Sequence, residues 1–126
     1  MNMIKILPFM FLLALLFTTI SYTQEDPYLP FAQVMPQPVG GLEAIYKHIV
    51  YPEIAQKAGI EGKVYVLVYV NEKGGVDDVK VLKGIGAGCN EAAVDGIKAV
   101  KFTPGKNNGA PVKTKLSLSI NFKISN

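Results

Sequence analysis

The sequence predicts an α+β domain, and three observations carry that prediction. Runs with an apolar residue at every second position start near Gly62, Val76 and Pro111; a glycine-rich turn joins the first two; and a segment with helix start and stop marks separates the second from the third. At 126 residues the chain has room for one domain once any targeting segment is set aside. Two strands joined by a hairpin, a helical crossover and a third strand make a split βαβ arrangement. In its simplest form the last strand lies beside the first, giving the order 2-1-3.

Residues 1–5 carry one lysine and residues 6–20 form an uncharged apolar run, the pattern of an export signal. The run is shorter than the ~20 residues that cross a bilayer comfortably as a helix, and it contains Pro8. Ser21, Tyr22 and Thr23 match a small-x-small cleavage site only loosely. Residues 1–23 are therefore expected as a signal peptide or as an N-terminal anchor holding residues 6–20 in the inner membrane, and both place the domain in the periplasm. No Cys lies near this segment, which excludes a lipoprotein anchor.

Residues 24–40 hold Pro27, Pro30, Pro36 and Pro38 with no sustained period, so a Pro-rich linker or extended arm is expected there. Phe31, Val34 and Met35 are apolar enough to dock on the domain of residues 41–126. Leu42, Ile45 and Ile49 form one apolar stripe of a short helix. A second short helix follows, with Pro52 in its first turn, Glu53 near its positive end and Gly59 at its exit; Ile54, Ala55 and Ala58 are expected to face the core.

From Gly62 the period becomes two, with Val64, Val66, Val68 and Val70 on one face and Lys63, Tyr65, Leu67 and Tyr69 on the other. Residues 71–75 supply the hairpin turn. The next strand covers residues 76–83, with Val79 and Val81 turned inward. Residues 84–88 are a glycine-rich link, Asn90 is the expected N-cap, Cys89 and Val94 can form a hydrophobic staple, and a helix runs over residues 91–100. Gly96 inside it costs about 1 kcal/mol relative to Ala and points to close packing on the sheet. Phe102 is a buried aromatic at the root of a loop whose tightest turn is Asn108-Gly109. The last strand has Val112, Thr114, Leu116, Leu118, Ile120, Phe122 and Ile124 on the core face, and it lies at the sheet edge.

Net charge is +3 and all 13 basic residues are Lys. Without Arg the chain lacks the planar fork that reads guanine edges or clamps phosphates, so no nucleic-acid partner is expected. One His, one Cys and carboxylates mostly in turns and helix ends provide no nucleophile and base pair, so no enzyme, catalytic residue, cofactor or metal is expected. Asp77-Asp78 lacks the ligand spacing of a calcium loop. The single Cys89 cannot form an internal disulfide; it reads as a small buried side chain, with a reactive thiol at a helix start as the alternative.

Tyr51-Pro52, Ala55, Gly59-Ile60-Glu61-Gly62, Val64 and Val66, Gly75-Val76, Val79 and Val81, Ala92-Ala93, Phe102-Thr103-Pro104-Gly105, Asn108-Gly109 and Pro111-Val112 follow in one order. This ordered set resembles the C-terminal domain of the TonB energy-transducer family over about residues 31–126. Phe31-Ala32-Gln33-Val34-Met35-Pro36 with Gly40-Gly41, and Gly86-Ala87-Gly88-Cys89, resemble the Bacteroidetes-type variant of that domain. The resemblance implies two helices packed on a three-stranded antiparallel sheet, and binding of a TonB-box-like peptide of an outer-membrane transporter in energy-coupled transport.

Strand addition to an exposed edge is the physical mode that fits such binding. The expected partner-binding residues are Leu116, Ser117, Leu118, Ser119, Ile120, Asn121 and Phe122, with Tyr51 and Pro52. Proline at Ser117 or Ser119 should weaken the fold where the lost amide points to the neighbouring strand, and binding alone where it points outward; one of the two is expected to fold without binding. The alternative function is a stand-alone structural module that self-associates as a homodimer through strand edges or through Tyr65, Leu67 and Tyr69.

Overall fold

The computed structural model describes residues 19–21 and 25–125; the expected signal or anchor of residues 1–23 falls almost entirely outside them. The elements are β1 (Gln37–Pro38), α1 (Gly41–Lys47), α2 (Glu53–Lys57), β2 (Gly62–Val70), β3 (Val76–Lys83), α3 (Cys89–Lys98), β4 (Phe102–Thr103), β5 (Gly105–Asn107), β6 (Ala110–Val112) and β7 (Thr114–Phe122). β3, β2 and β7 form an antiparallel sheet in that order, which is the expected 2-1-3 arrangement. No helix among the described residues is long and apolar enough to cross a membrane.

Alternation dictates the core. Val64, Val66, Val68 and Val70 are fully buried on one face of β2, and Ile120 and Phe122 continue that face on β7. Each such side chain contributes about 1.5–3 kcal/mol of apolar burial. Cys89, Ala93 and Ile97 recur at helical spacing on α3 and close the layer, joined by Ile45 of α1 and Ala55 of α2.

Short elements depart from the sequence reading. α2 spans five residues and buries only Ala55; Ile54 is 76% exposed and Ala58 is exposed too, since one turn and a half covers a single stripe. Val81 is 39% exposed on the outer strand, next to the irregularity where Lys83 instead of Leu82 faces Tyr65. Helix α3 starts two residues earlier than the Asn90 cap implies. Gly88 takes the position before it in a left-handed conformation with φ 85°, and Cys89 is its first residue, so Cys89 and Val94 do not stand at staple positions. Asn90 ties down the preceding link instead, its Oδ1 accepting from the amides of Ile85 (3.0 Å) and Gly86 (3.3 Å). Gly96 packs on the end of the α1 segment and not on the sheet: a Cβ there meets Ile49 Cγ1 at 2.5 Å.

The turn between β2 and β3 is held by Asn71, whose Oδ1 accepts from the amides of Lys73 and Gly75 at 2.9 and 3.0 Å. Gly74 in that turn has φ 82° and accepts at its carbonyl from Phe102 N–H at 2.9 Å, an approach so close that a Cβ would lie 1.9 Å from Phe102 O. The stretch expected as a plain loop after Phe102 contains a β5–β6 hairpin, turned by Asn108 and Gly109, both at positive φ as a type I′ turn requires.

The arm docks mainly through its backbone. Leu29 bridges Thr114 in parallel, Val34 bridges Lys106, and β1 pairs with β4. Phe31 is 82% exposed and Val34 is exposed, while Met35 is half-buried and Pro36 buried.

Candidate functional site

Every second residue of β7 directs its backbone groups to the free side of the sheet. The Lys115 amide donates to Leu29 O, the Lys113 carbonyl accepts from Leu29 N, and the Asn121 amide donates to Tyr46 Oη, each at 2.9 Å. Strand alternation puts the amides and carbonyls of Ser117 and Ser119 on that same side, while Leu116, Leu118 and Ile120 pair toward Val68, Val66 and Val64 of β2. Among the described residues nothing bonds the outward amides of Ser117 and Ser119. They form a short open edge, a template for one more strand.

An apolar groove of about 770 Å³ lies beside this edge. Its walls are Leu116 and Leu118 from the core face of β7, and Met35, Pro36, Val39 and Leu42 from the arm and α1. A smaller hollow of about 370 Å³, with Phe31, Leu67, Leu116 and Ser117 in its lining, flanks the opposite face. A strand laid on Ser117 and Ser119 sends alternate side chains into these two hollows.

The arm is latched where it meets the sheet. Tyr28 stacks edge-on against Tyr69 with ring centroids 5.0 Å apart, and its hydroxyl donates to Asp77 Oδ2. That bond pushes the Tyr28 phenol up to about 12 and holds the Asp77 carboxyl below its ordinary value. Asp26 accepts from the Tyr28 amide at 2.9 Å and pairs with Lys115 Nζ at 3.0 Å, and its carboxyl too is held low. Tyr69 is thereby buried on the face of β2 opposite the core valines.

The expected site residues separate into three groups. Leu116 and Leu118 line the groove, and Ser117 and Ser119 offer free backbone groups. Ile120 and Phe122 are core residues with no side-chain access, and Asn121 has its outward amide already bonded. Tyr51 and Pro52 sit elsewhere: the Tyr51 ring packs against Phe122 at 5.2 Å, its hydroxyl donates to Ile60 O, and Pro52 lies against Gly88. The sequence reading missed Leu29, Val39 and Tyr46. Tyr46 stands four residues after Leu42 on one helix face, a signal that was available.

Cys89 is fully buried and burial pushes its thiol up, which fits the apolar reading and opposes a reactive thiolate. Among the described residues no group of three or more His, Cys, Asp or Glu is placed to hold a metal.

The family model for the Gram-negative bacterial TonB protein C-terminal matches residues 47–124. The chain belongs to the TonB C-terminal domain family. Protein TonB of Vibrio cholerae is 31% identical over 101 residues, which is 79% of this chain and 36% of that protein. Protein TonB of Pseudomonas aeruginosa is 34% identical over 76 residues, 60% of this chain and 22% of that protein. The chain thus spans about a third or less of the length of these curated relatives. Among solved structures, the Helicobacter pylori TonB-CTD is similar at a TM-score of 0.52 and 33% identity, covering 64% of this chain and 86% of that one. The Pseudomonas aeruginosa TonB CTD is similar at 0.50 and 32% identity, covering 62% and 80%. The TonB family is not enzymatic. The family match begins after the arm and Leu42, so the groove wall they build lies outside it.

Proposed function

We propose that this domain receives an extended peptide segment of an outer-membrane TonB-dependent transporter on the periplasmic side, by strand addition to β7, and takes part in energy-coupled transport. One observation carries the reading: the unbonded outward amides of Ser117 and Ser119 stand beside an apolar groove. Backbone bonds to the edge supply affinity without regard to sequence, and the groove supplies selectivity. Export by residues 1–23, with cleavage or with anchoring of residues 6–20 in the inner membrane, belongs to the same proposal.

The test is a titration of the isotope-labelled chain with a transporter-derived peptide, followed by amide shifts. Shifts are expected at Ser117 and Ser119 and at the groove residues Val39, Leu116 and Leu118. Shifts confined to residues 77–81 of β3 would move the receiving edge to the other side of the sheet. Self-association through Tyr65, Leu67 and Tyr69 is less favoured because Tyr28 covers Tyr69; a dimer on size exclusion without peptide would support it.

A further inference from the structure

We propose that Leu29 and Tyr46 are two stops that bracket the free edge of β7, restricting it to a short extended segment with apolar side chains at alternate positions. This inference rests on the strand-addition reading above and adds the length and chemistry of the segment.

At one end, Leu29 uses the outward carbonyl of Lys113 and the outward amide of Lys115, both at 2.9 Å. At the other, Tyr46 Oη takes the outward amide of Asn121 at 2.9 Å. From Lys115 to Asn121 the strand rises roughly 20 Å, space for about five residues of a guest. A longer guest collides with the backbone of the arm or must displace the tyrosine.

Neither stop hangs loosely. Beyond Leu29 the arm is tied by Val34 and Lys106, whose amides and carbonyls exchange bonds at 3.0 and 2.9 Å, and by the pairing of β1 with β4. Before it, Asp26 on Lys115 and Tyr28 on Asp77 hold the chain to the sheet. Tyr46 stands on α1, whose Ile45 is fully buried.

The guest's chemistry follows from the walls. On the groove side its side chains meet Met35, Val39, Leu42, Leu116 and Leu118, so that side takes branched apolar residues. The other side faces Phe31, Leu67, Lys115 and Ser117 and accepts polar residues with an apolar stem.

Two capped peptides test the bracket by calorimetry and amide shifts against the full chain: a five-residue peptide with Val at its second and fourth positions and Thr between, and a nine-residue peptide extending it by a Gln-Thr pair at each end. The unaltered chain should bind both within about twofold. Leu29→Pro removes the amide that bonds Lys113 and opens one stop, so the longer peptide should gain about tenfold over the shorter. The pair Asp26→Asn with Tyr28→Phe loosens the arm while leaving every residue of β7 in place, and should shift the preference the same way if Leu29→Pro disturbs folding. Tyr46→Phe frees the Asn121 amide at the opposite stop, and Tyr46→Ala removes the ring as well. A tenfold preference for the longer peptide in the unaltered chain, or no gain in any variant, would overturn the bracket while leaving strand addition intact. Failure of both peptides to move Ser117 and Ser119 in every protein would remove the strand-addition reading and the bracket with it.

Discussion

The Asn121 amide donates to the Tyr46 hydroxyl at 2.9 Å, so a residue of α1 closes one end of an edge that the strand order leaves open. Tyr46→Phe keeps the ring and removes the acceptor. The Asn121 amide should then exchange with solvent faster, at a cost in stability of about 0.5–1 kcal/mol. Hydrogen exchange read residue by residue checks this, and an unchanged Asn121 rate would mean that the bond does not persist in solution.

Charges placed on β2 and β7 should act according to depth. Val66 is fully buried between neighbours on both sides, so Val66→Asp should unfold the domain, at several kcal/mol for an unpartnered carboxylate. Leu118→Asp, half-buried at the groove wall, should fold with a lowered melting temperature and lose peptide binding. Lys115→Asp is not the neutral surface change its position suggests, because it sets a second carboxylate against Asp26 and should free the arm. Melting curves and arm amide shifts of the three variants separate these outcomes.

Gly96→Ala tests the contact between α3 and the segment that follows α1. Helix propensity favours the alanine by about 1 kcal/mol, yet its Cβ lies 2.5 Å from Ile49 Cγ1 in a buried position. The substitution should therefore destabilise the domain, and adding Ile49→Ala should recover part of the loss. A Gly96→Ala variant that melts higher than the unaltered chain would contradict the contact.

The arm latch should have a pH window. The hydroxyl of Tyr28 lowers the Asp77 carboxyl, and the Tyr28 amide with Lys115 lowers that of Asp26. A depressed carboxyl stabilises fully above its ordinary value of 3.8 and loses that contribution as pH falls through the lower folded value. The Tyr28 phenol is raised from 10.0 to about 12, so its contribution is complete below 10 and fades as pH rises toward 12. Exchange of the Leu29 and Lys115 amides should be slowest between these limits. Tyr28→Phe should abolish the alkaline limb and leave on the acid side the share held by Asp26 and Lys115.

How much of this was readable beforehand follows from period and length. The nine residues of β7 alternate cleanly, so the faces of Thr114, Leu116, Ile120 and Phe122 were legible, as was the order of the sheet. Ile54 and Val81 were misplaced because a five-residue helix and an outer strand beside an irregularity show apolar residues without showing which of them is covered. The bond of Leu29 to the edge leaves no side-chain pattern, since it is made by backbone alone. Helix α3 is entered through the left-handed backbone of Gly88, and the more familiar side-chain cap signal at Asn90 puts the boundary two residues late.

Proline scanning of β7 provides the sharpest test of the free edge. Positions 117 and 119 are two apart, so their amides point the same way, and the expectation that one variant would misfold while the other merely lost binding does not hold. Lys115 and Asn121 on either side bond outward, which places Ser117 and Ser119 outward as well. Neither Ser117→Pro nor Ser119→Pro removes a bond to β2, and proline is tolerated on an edge whose N–H faces solvent. Both should fold with small losses in melting temperature, and each should weaken a transporter-derived peptide about tenfold. Leu118→Pro is the control: its amide faces Val66 of β2, so this variant should unfold. Unfolding of Ser117→Pro and Ser119→Pro with survival of Leu118→Pro would reverse the assignment of the strand's two sides. Full peptide affinity in both serine variants would place the peptide away from β7.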